Sequence, residues 1–153
     1  MRLEGQTALV TGGGSGAGQA IVAALAAEGA HVTAMGRDAA KLGAACAACG
    51  AEAAAGDVTD RERVAQIVDG IVERHGRIDL LVNNAGINVV DRSLERLSPQ
   101  DWDRVLQINA TGAFNTIHAV LPHMRRQRGG LILAVSSMAG HGKAARRRQP
   151  STT

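Results

Sequence analysis

The stretch Thr11-Gly12-Gly13-Gly14-Ser15-Gly16-Ala17-Gly18 holds the densest set of chemistry-bearing residues in the chain. It follows a short apolar run, Thr7-Ala8-Leu9-Val10, and precedes Ile21, Val22 and Leu25 at helical spacing. A glycine-rich turn from strand to helix lets backbone N–H groups approach a pyrophosphate, and the helix dipole favours the anion there. No Gly-Lys-Ser/Thr follows, so the turn is not a P-loop. It fits two registers: Gly12-x-Gly14-x-x-Ala17, a general dinucleotide fingerprint, and Thr11-Gly12-x-x-x-Gly16-x-Gly18, a narrower one. The alternative is a permissive turn with no ligand.

Four other features could carry chemistry. The second apolar run ends in Met35-Gly36-Arg37-Asp38. An acidic residue there would bond the ribose 2′-OH of NAD, whereas a basic one suits the 2′-phosphate of NADP. Arg37 therefore favours NADP(H) over NAD(H), unless it is a solvated loop charge; Asp38 reads as a helix N-cap. Asn109 lies seven residues after Trp102, on an apolar helical stripe, where a polar amide must find partners. A satisfied core Asn, or a kink, is the bland reading. Cys46-x-x-Cys49 sits at a helix end rather than at an N-terminus after a strand, so it reads as packing or surface cysteines. His118 and His123 have no acidic neighbours in sequence, and no metal site is expected.

The elements that must position these residues alternate. Strands are expected at Gln6–Gly12, His31–Met35, Glu52–Ala55, Ile78–Asn83 and Leu131–Val135. Helices are expected from Gly16 to Glu28, from an Asp38 cap to Cys49, from a Thr59/Glu62 capping box to Gly76, and from Ser98-Pro99 to Gln127. The last carries an apolar stripe of Trp102, Val105, Leu106, Ala113, Ile117, Val120, Leu121 and Met124. This βα alternation implies an α/β fold, a doubly wound parallel sheet with helices on both faces. Residues 1–140 form the nucleotide-binding domain in this reading, and 141–153 a basic unstructured tail.

Composition narrows the classes. The 153 residues are 45% apolar, enough for a core, yet include one Trp, one Phe and no Tyr. That argues against base-stacking nucleic-acid platforms. All 14 acidic residues precede Arg104, so the chain ends strongly basic. Arg146-Arg147-Arg148 lacks interleaved aromatics and reads as a solvated tail, with no nucleic-acid partner. No signal segment and no apolar run of spanning length is present, so no membrane association is expected and a cytoplasmic location is.

In motif order, residues 5–140 resemble the short-chain dehydrogenase/reductase family, whose Rossmann-type sheet is here incomplete. The Thr11–Gly18 register is that family's cofactor turn, and its contacts carry over to Thr11, Gly12, Gly14, Ser15, Gly16, Ala17 and Gly18. The resemblance implies that Asp57 and Val58 meet the adenine. It implies that Asn83-Asn84-Ala85-Gly86 stabilises the sheet, with Asn83, Ala85 and Gly86 against the cofactor. Gly36 stands at the family's usual NAD-selecting acidic position. Asn109 matches the helical catalytic Asn, which holds a water of the proton relay. Ser136-Ser137-Met138-Ala139-Gly140 matches the catalytic serine segment, with Ser137 the active serine.

The resemblance further implies an oxidoreductase that moves hydride between NADP(H) or NAD(H) and a small carbonyl or alcohol substrate, and full-length homo-oligomers. The family's Tyr-x-x-x-Lys pair belongs near Gln149–Ser151, but the sequence has no tyrosine and Lys143 comes too early. The chain itself is therefore expected to be catalytically incomplete. The pattern stops after Gly140, as in a truncation or a frameshift in a GC-rich gene; translating the other frames beyond codon 140 tests that expectation. Two alternatives stand beside the enzyme: a non-catalytic dinucleotide-binding fragment, and an interaction protein that uses the basic tail.

Overall fold

The computed structural model describes residues 1–90 and 93–137. Five strands, β1 (Thr7–Thr11), β2 (His31–Gly36), β3 (Glu52–Ala55), β4 (Leu80–Asn83) and β5 (Leu131–Ala134), form one sheet in the order β3-β2-β1-β4-β5. Every pairing is parallel, with Leu9 level with Thr33 on one side and with Leu81 on the other. The tail assigned to 141–153, with Arg146–Arg148, lies outside the described residues.

Helices α1 (Gly16–Ala27), α2 (Ala39–Ala47), α3 (Arg61–His75), α4 (Pro99–Leu106) and α5 (Gly112–Arg126) connect the strands. Alternate side chains of the sheet feed two cores. Leu9, Met35 and Leu81 pack with Val64, Val68 and Ile71 of α3 and Val120 of α5. Ala8, Val10, Val32 and Val82 pack with Val22 of α1 and Leu42 of α2. Strand β1 is buried over its whole length because helices cover both faces.

Two expectations need correction. The predicted helix from Ser98 to Gln127 is not continuous: a π-helical turn at Gln107–Thr111 separates α4 from α5. Asn109 sits in the middle of that turn, where its amide is held by the loop after β4. The stripe does not reach the core as one face either: α4 buries no residue, and Trp102 and Leu106 remain 50% and 43% exposed. Secondly, Thr59 and Glu62 do not cap α3. Asp60 does, accepting from the Arg63 N–H at 3.0 Å. The Thr59 hydroxyl instead donates to Asp57 Oδ1 at 2.9 Å, in a turn where the same oxygen also accepts the Thr59 N–H.

Among the described residues, strand β5 is packed on one face only. Ile132 turns toward α3 and α5 and packs on that core. Leu131 and Leu133, level with Leu80 and Val82 on the other face, are 55% and 45% exposed.

Candidate functional site

The chain leaves β1 toward β2 on one side and reaches β4 on the other, so the loops after β1 and β4 diverge at the carboxyl edge. Such a switch point opens a crevice in any doubly wound sheet. Here it is a cleft of about 750 Å³, within the range of small-molecule sites.

The turn after β1 forms one wall. Gly12 adopts φ +68°, and a Cβ there would come within 2.9 Å of Asn84 Nδ2. A Cβ on Gly18 would collide with the Gly12 carbonyl, so glycine is what lets α1 start this close to the strand. Ser15 precedes α1 without capping it through its side chain; Asp38, Asp60 and Ser98 all cap theirs. Gly12, Gly14, Ser15, Ala17 and Gly18 line the cleft.

Not every predicted residue does so. Thr11 is fully buried. Its hydroxyl oxygen accepts the N–H groups of Asn84 and Ala85, both at 3.0 Å, and so ties the two loops together. Asn84 completes the stitch by donating to the carbonyls of Thr11 and Gly12 at 3.0 and 3.3 Å. Asn83 turns inward as well: its Oδ1 accepts from Thr116 at 2.6 Å and its Nδ2 donates to Ala113. Gly16, at φ +54°, opens α1 but stands outside the cleft lining. Thr11, Gly16 and Asn83 therefore shape the site rather than line it, while Ala85 and Gly86 are in the lining.

The opposite wall comes from the ends of β2 and β3. Gly36, Arg37 and Asp38 line it, with Asp57 and Val58 beside them. Arg37 is exposed, with Nη1 4.0 Å from Asp57 Oδ2, a distance that binds it only loosely. Asp57 Oδ1 is taken by the backbone and side chain of Thr59. Asp38 caps α2 as the sequence predicts, and the Lys41 backbone N–H, then its side chain, hold its carboxyl below the ordinary value. Sequence reasoning missed Lys41. It stands in the first turn of α2 and lines the cleft as Arg37 does, with its ammonium 3.4 Å from Asp38 Oδ2. The available signal was a lysine three residues after the Asp38 cap, in the first turn of the helix that follows Arg37.

Asn109 reaches the site indirectly. Its Oδ1 accepts from the Ile87 N–H at 2.8 Å and its Nδ2 donates to the Ile87 carbonyl at 2.9 Å, and Ile87 lines the cleft. Ser137 is exposed beyond the end of β5 and is not in the lining. Strand β5 directs it to the same edge, since Val135 donates to the Asn83 carbonyl at 2.8 Å. The rest of its motif, Met138–Gly140, lies outside the described residues.

Burial pushes the Cys46 thiol up, and its Sγ donates to the Glu52 carbonyl. His123 does find an acid, Asp69 on α3, at 3.1 Å, but no metal-binding cluster occurs among the described residues. No described helix is long and apolar enough to cross a membrane.

A family model described as short chain dehydrogenase matches residues 6–149. The chain belongs to the short chain dehydrogenase family. Within that family it is 42% identical over 147 residues to the 3-oxoacyl-(acyl-carrier-protein) reductase FabG of Thermotoga maritima, covering 92% of this chain and 58% of that one. It superposes on NAD+-bound xylitol dehydrogenase with a TM-score of 0.87 at 36% identity, covering 94% and 57% of the two chains. A metagenomic short-chain oxidoreductase in complex with NADP gives 0.84 at 35%, covering 95% and 68%. The chain spans 58% of the length of the Thermotoga relative, and its five-stranded sheet is incomplete relative to the full family.

Proposed function

We propose that this chain binds NADP(H) and forms the dinucleotide-binding part of an oxidoreductase that interconverts a carbonyl and an alcohol. The observation that carries the reading is the cleft at the switch point, with a close-packed glycine turn on one wall and two cations, Arg37 and Lys41, on the other. The fit is chemical. The start of α1 offers backbone donors uncapped by Ser15, which suits a pyrophosphate. Gly36 leaves no carboxylate at the end of β2, and Arg37 and Lys41 suit a 2′-phosphate. Asp57 and Val58 would flank the adenine, and Ala85 and Gly86 the rest of the cofactor.

When bound, the nicotinamide supplies or accepts the hydride. The chain's own residues bind, orient and handle protons. Ser137 orients the substrate oxygen. Asn109 fixes Ile87 through its side chain and holds a water of the proton relay. The 153 residues contain no tyrosine, so the proton donor implied by the family resemblance is not supplied by them. These residues alone should therefore bind the cofactor without turnover. Xylitol dehydrogenase with NAD+ bound and a metagenomic short-chain oxidoreductase in complex with NADP both resemble this chain, so both cofactors occur among the similar structures.

Calorimetry with NADPH and NADH on the 153-residue chain tests the proposal. Saturable binding, tighter for NADPH, is expected; no binding of either overturns it, and tighter NADH binding overturns the NADP(H) preference. A ketone panel with NADPH is expected to give no turnover, and turnover would overturn the assignment of a missing proton donor.

A further inference from the structure

The start of α5 reaches under the Asp57 wall of the cleft. Gly112 lies against Val58, and a Cβ on Gly112 would collide with Val58 Cγ2. One turn later Asn115 is 3% exposed. Its Nδ2 donates to the Val58 carbonyl at 2.9 Å and to that of Thr59 at 3.5 Å, while its Oδ1 accepts from Arg61 Nε at 3.4 Å. The segment it grips has just left the sheet: the last rung is Gly56 N–H to the Gly36 carbonyl at 3.0 Å. Beyond that rung, apart from the loose Arg37–Asp57 ion pair, the described hydrogen bonds that tie residues 57–59 to another element come from this buried amide. Burying an amide is costly unless its bonds are made, so a primary amide among apolar neighbours marks a place where backbone must be held.

We infer that Asn115, together with Gly112, is a positioning residue for the adenine side of the cleft. It sets Asp57 and Val58 from behind and does not itself face the ligand. This rests on the dinucleotide reading above. A comparison within the same helix separates positioning from general stability. Gln127, at the far end of α5, clamps Ile78 in the same way, accepting from its N–H at 3.3 Å and donating to its carbonyl at 2.7 Å. Neither Gln127 nor Ile78 lines the cleft.

The test is calorimetric titration of the 153-residue chain with 2′,5′-ADP, the adenosine half with its 2′-phosphate, alongside thermal melts. Asn115→Ala is expected to weaken 2′,5′-ADP about tenfold, the scale of one lost anchoring hydrogen bond. Gly112→Ala, which pushes Val58 directly, is expected to do the same. Gln127→Ala is expected to lower the melting temperature and leave the affinity unchanged. Unchanged affinity in Asn115→Ala, or an equal loss in Gln127→Ala, overturns the inference while leaving the cofactor reading intact. If Asn115→Ala does not fold, Asn115→Ser and Gly112→Ala are read in its place. Failure of the unsubstituted chain to bind 2′,5′-ADP overturns both.

Discussion

A threonine hydroxyl at the end of a strand can face a ligand or face the protein, and Thr11 faces the protein. Its oxygen holds two N–H groups of the loop after β4. Its type and place in the motif were legible, but its direction was not, because that depends on a partner 73 residues away. Arg37 and Lys41 point the other way, into the cleft. Each is expected to contribute to a 2′-phosphate contact. Arg37→Ala and Lys41→Ala should each weaken NADPH about tenfold and leave NADH nearly unchanged, as read by fluorescence titration.

Glu52 makes a pH prediction at the same scale. Desolvation raises its pKa, but the bonds to Arg74 (2.7 Å) and His75 (3.2 Å) together outweigh it and hold the carboxyl below its ordinary value of 4.5. A depressed carboxylate contributes stability that is present above pH 4.5 and is lost as pH falls through the folded value. Urea midpoints followed downward from about pH 6 to about pH 3 should fall less steeply in Glu52→Gln than in the parent chain.

At the scale of elements, apolar periodicity located the five strands and the first three helices, because an element with one face on the core repeats its apolar residues at its own period. What it missed were choices between near-equal local partners. Thr59 satisfies the cap pattern of α3, but its N–H and hydroxyl both close a turn onto Asp57, and α3 starts one residue later behind Asp60. Asp60→Ala should therefore cost about 1 kcal/mol in a denaturant melt. Thr59→Ala should affect α3 little and act instead on the Asp57 loop. The break between α4 and α5 was hidden for a related reason. The apolar stripe resumes at Ala113 after Leu106, so it reads as one helix, while the π-helical turn at Gln107–Thr111 carries Asn109, whose partner Ile87 lies 22 residues earlier in the chain.

For the whole molecule, the open face of β5 is the feature that matters. Leu131 and Leu133 are exposed on a strand that is also a sheet edge, a combination that invites association. Marginal stability, aggregation or dependence on a partner is the expected behaviour of these 153 residues, and a cooperative melt of a soluble monomer would contradict it. Leu131→Thr with Leu133→Thr puts β-branched strand formers on that face in place of the leucines. Light scattering on heating should fall in the double variant, with stability changed by no more than about 1 kcal/mol.

The position of β1 has a consequence during synthesis. It is the first strand made and the central one in the sheet, and its partners are unequally distant along the chain. Strand β2 emerges soon after it, but β4 begins at Leu80. At typical rates of about 5–20 residues per second, the ribosome needs roughly 4–14 s to add that intervening length. Throughout that interval Ala8, Leu9 and Val10 have one hydrogen-bonding edge without its strand. The nascent chain thus passes through a stage in which its most buried segment is its most adhesive one, and chaperone capture should peak before β4 leaves the exit tunnel.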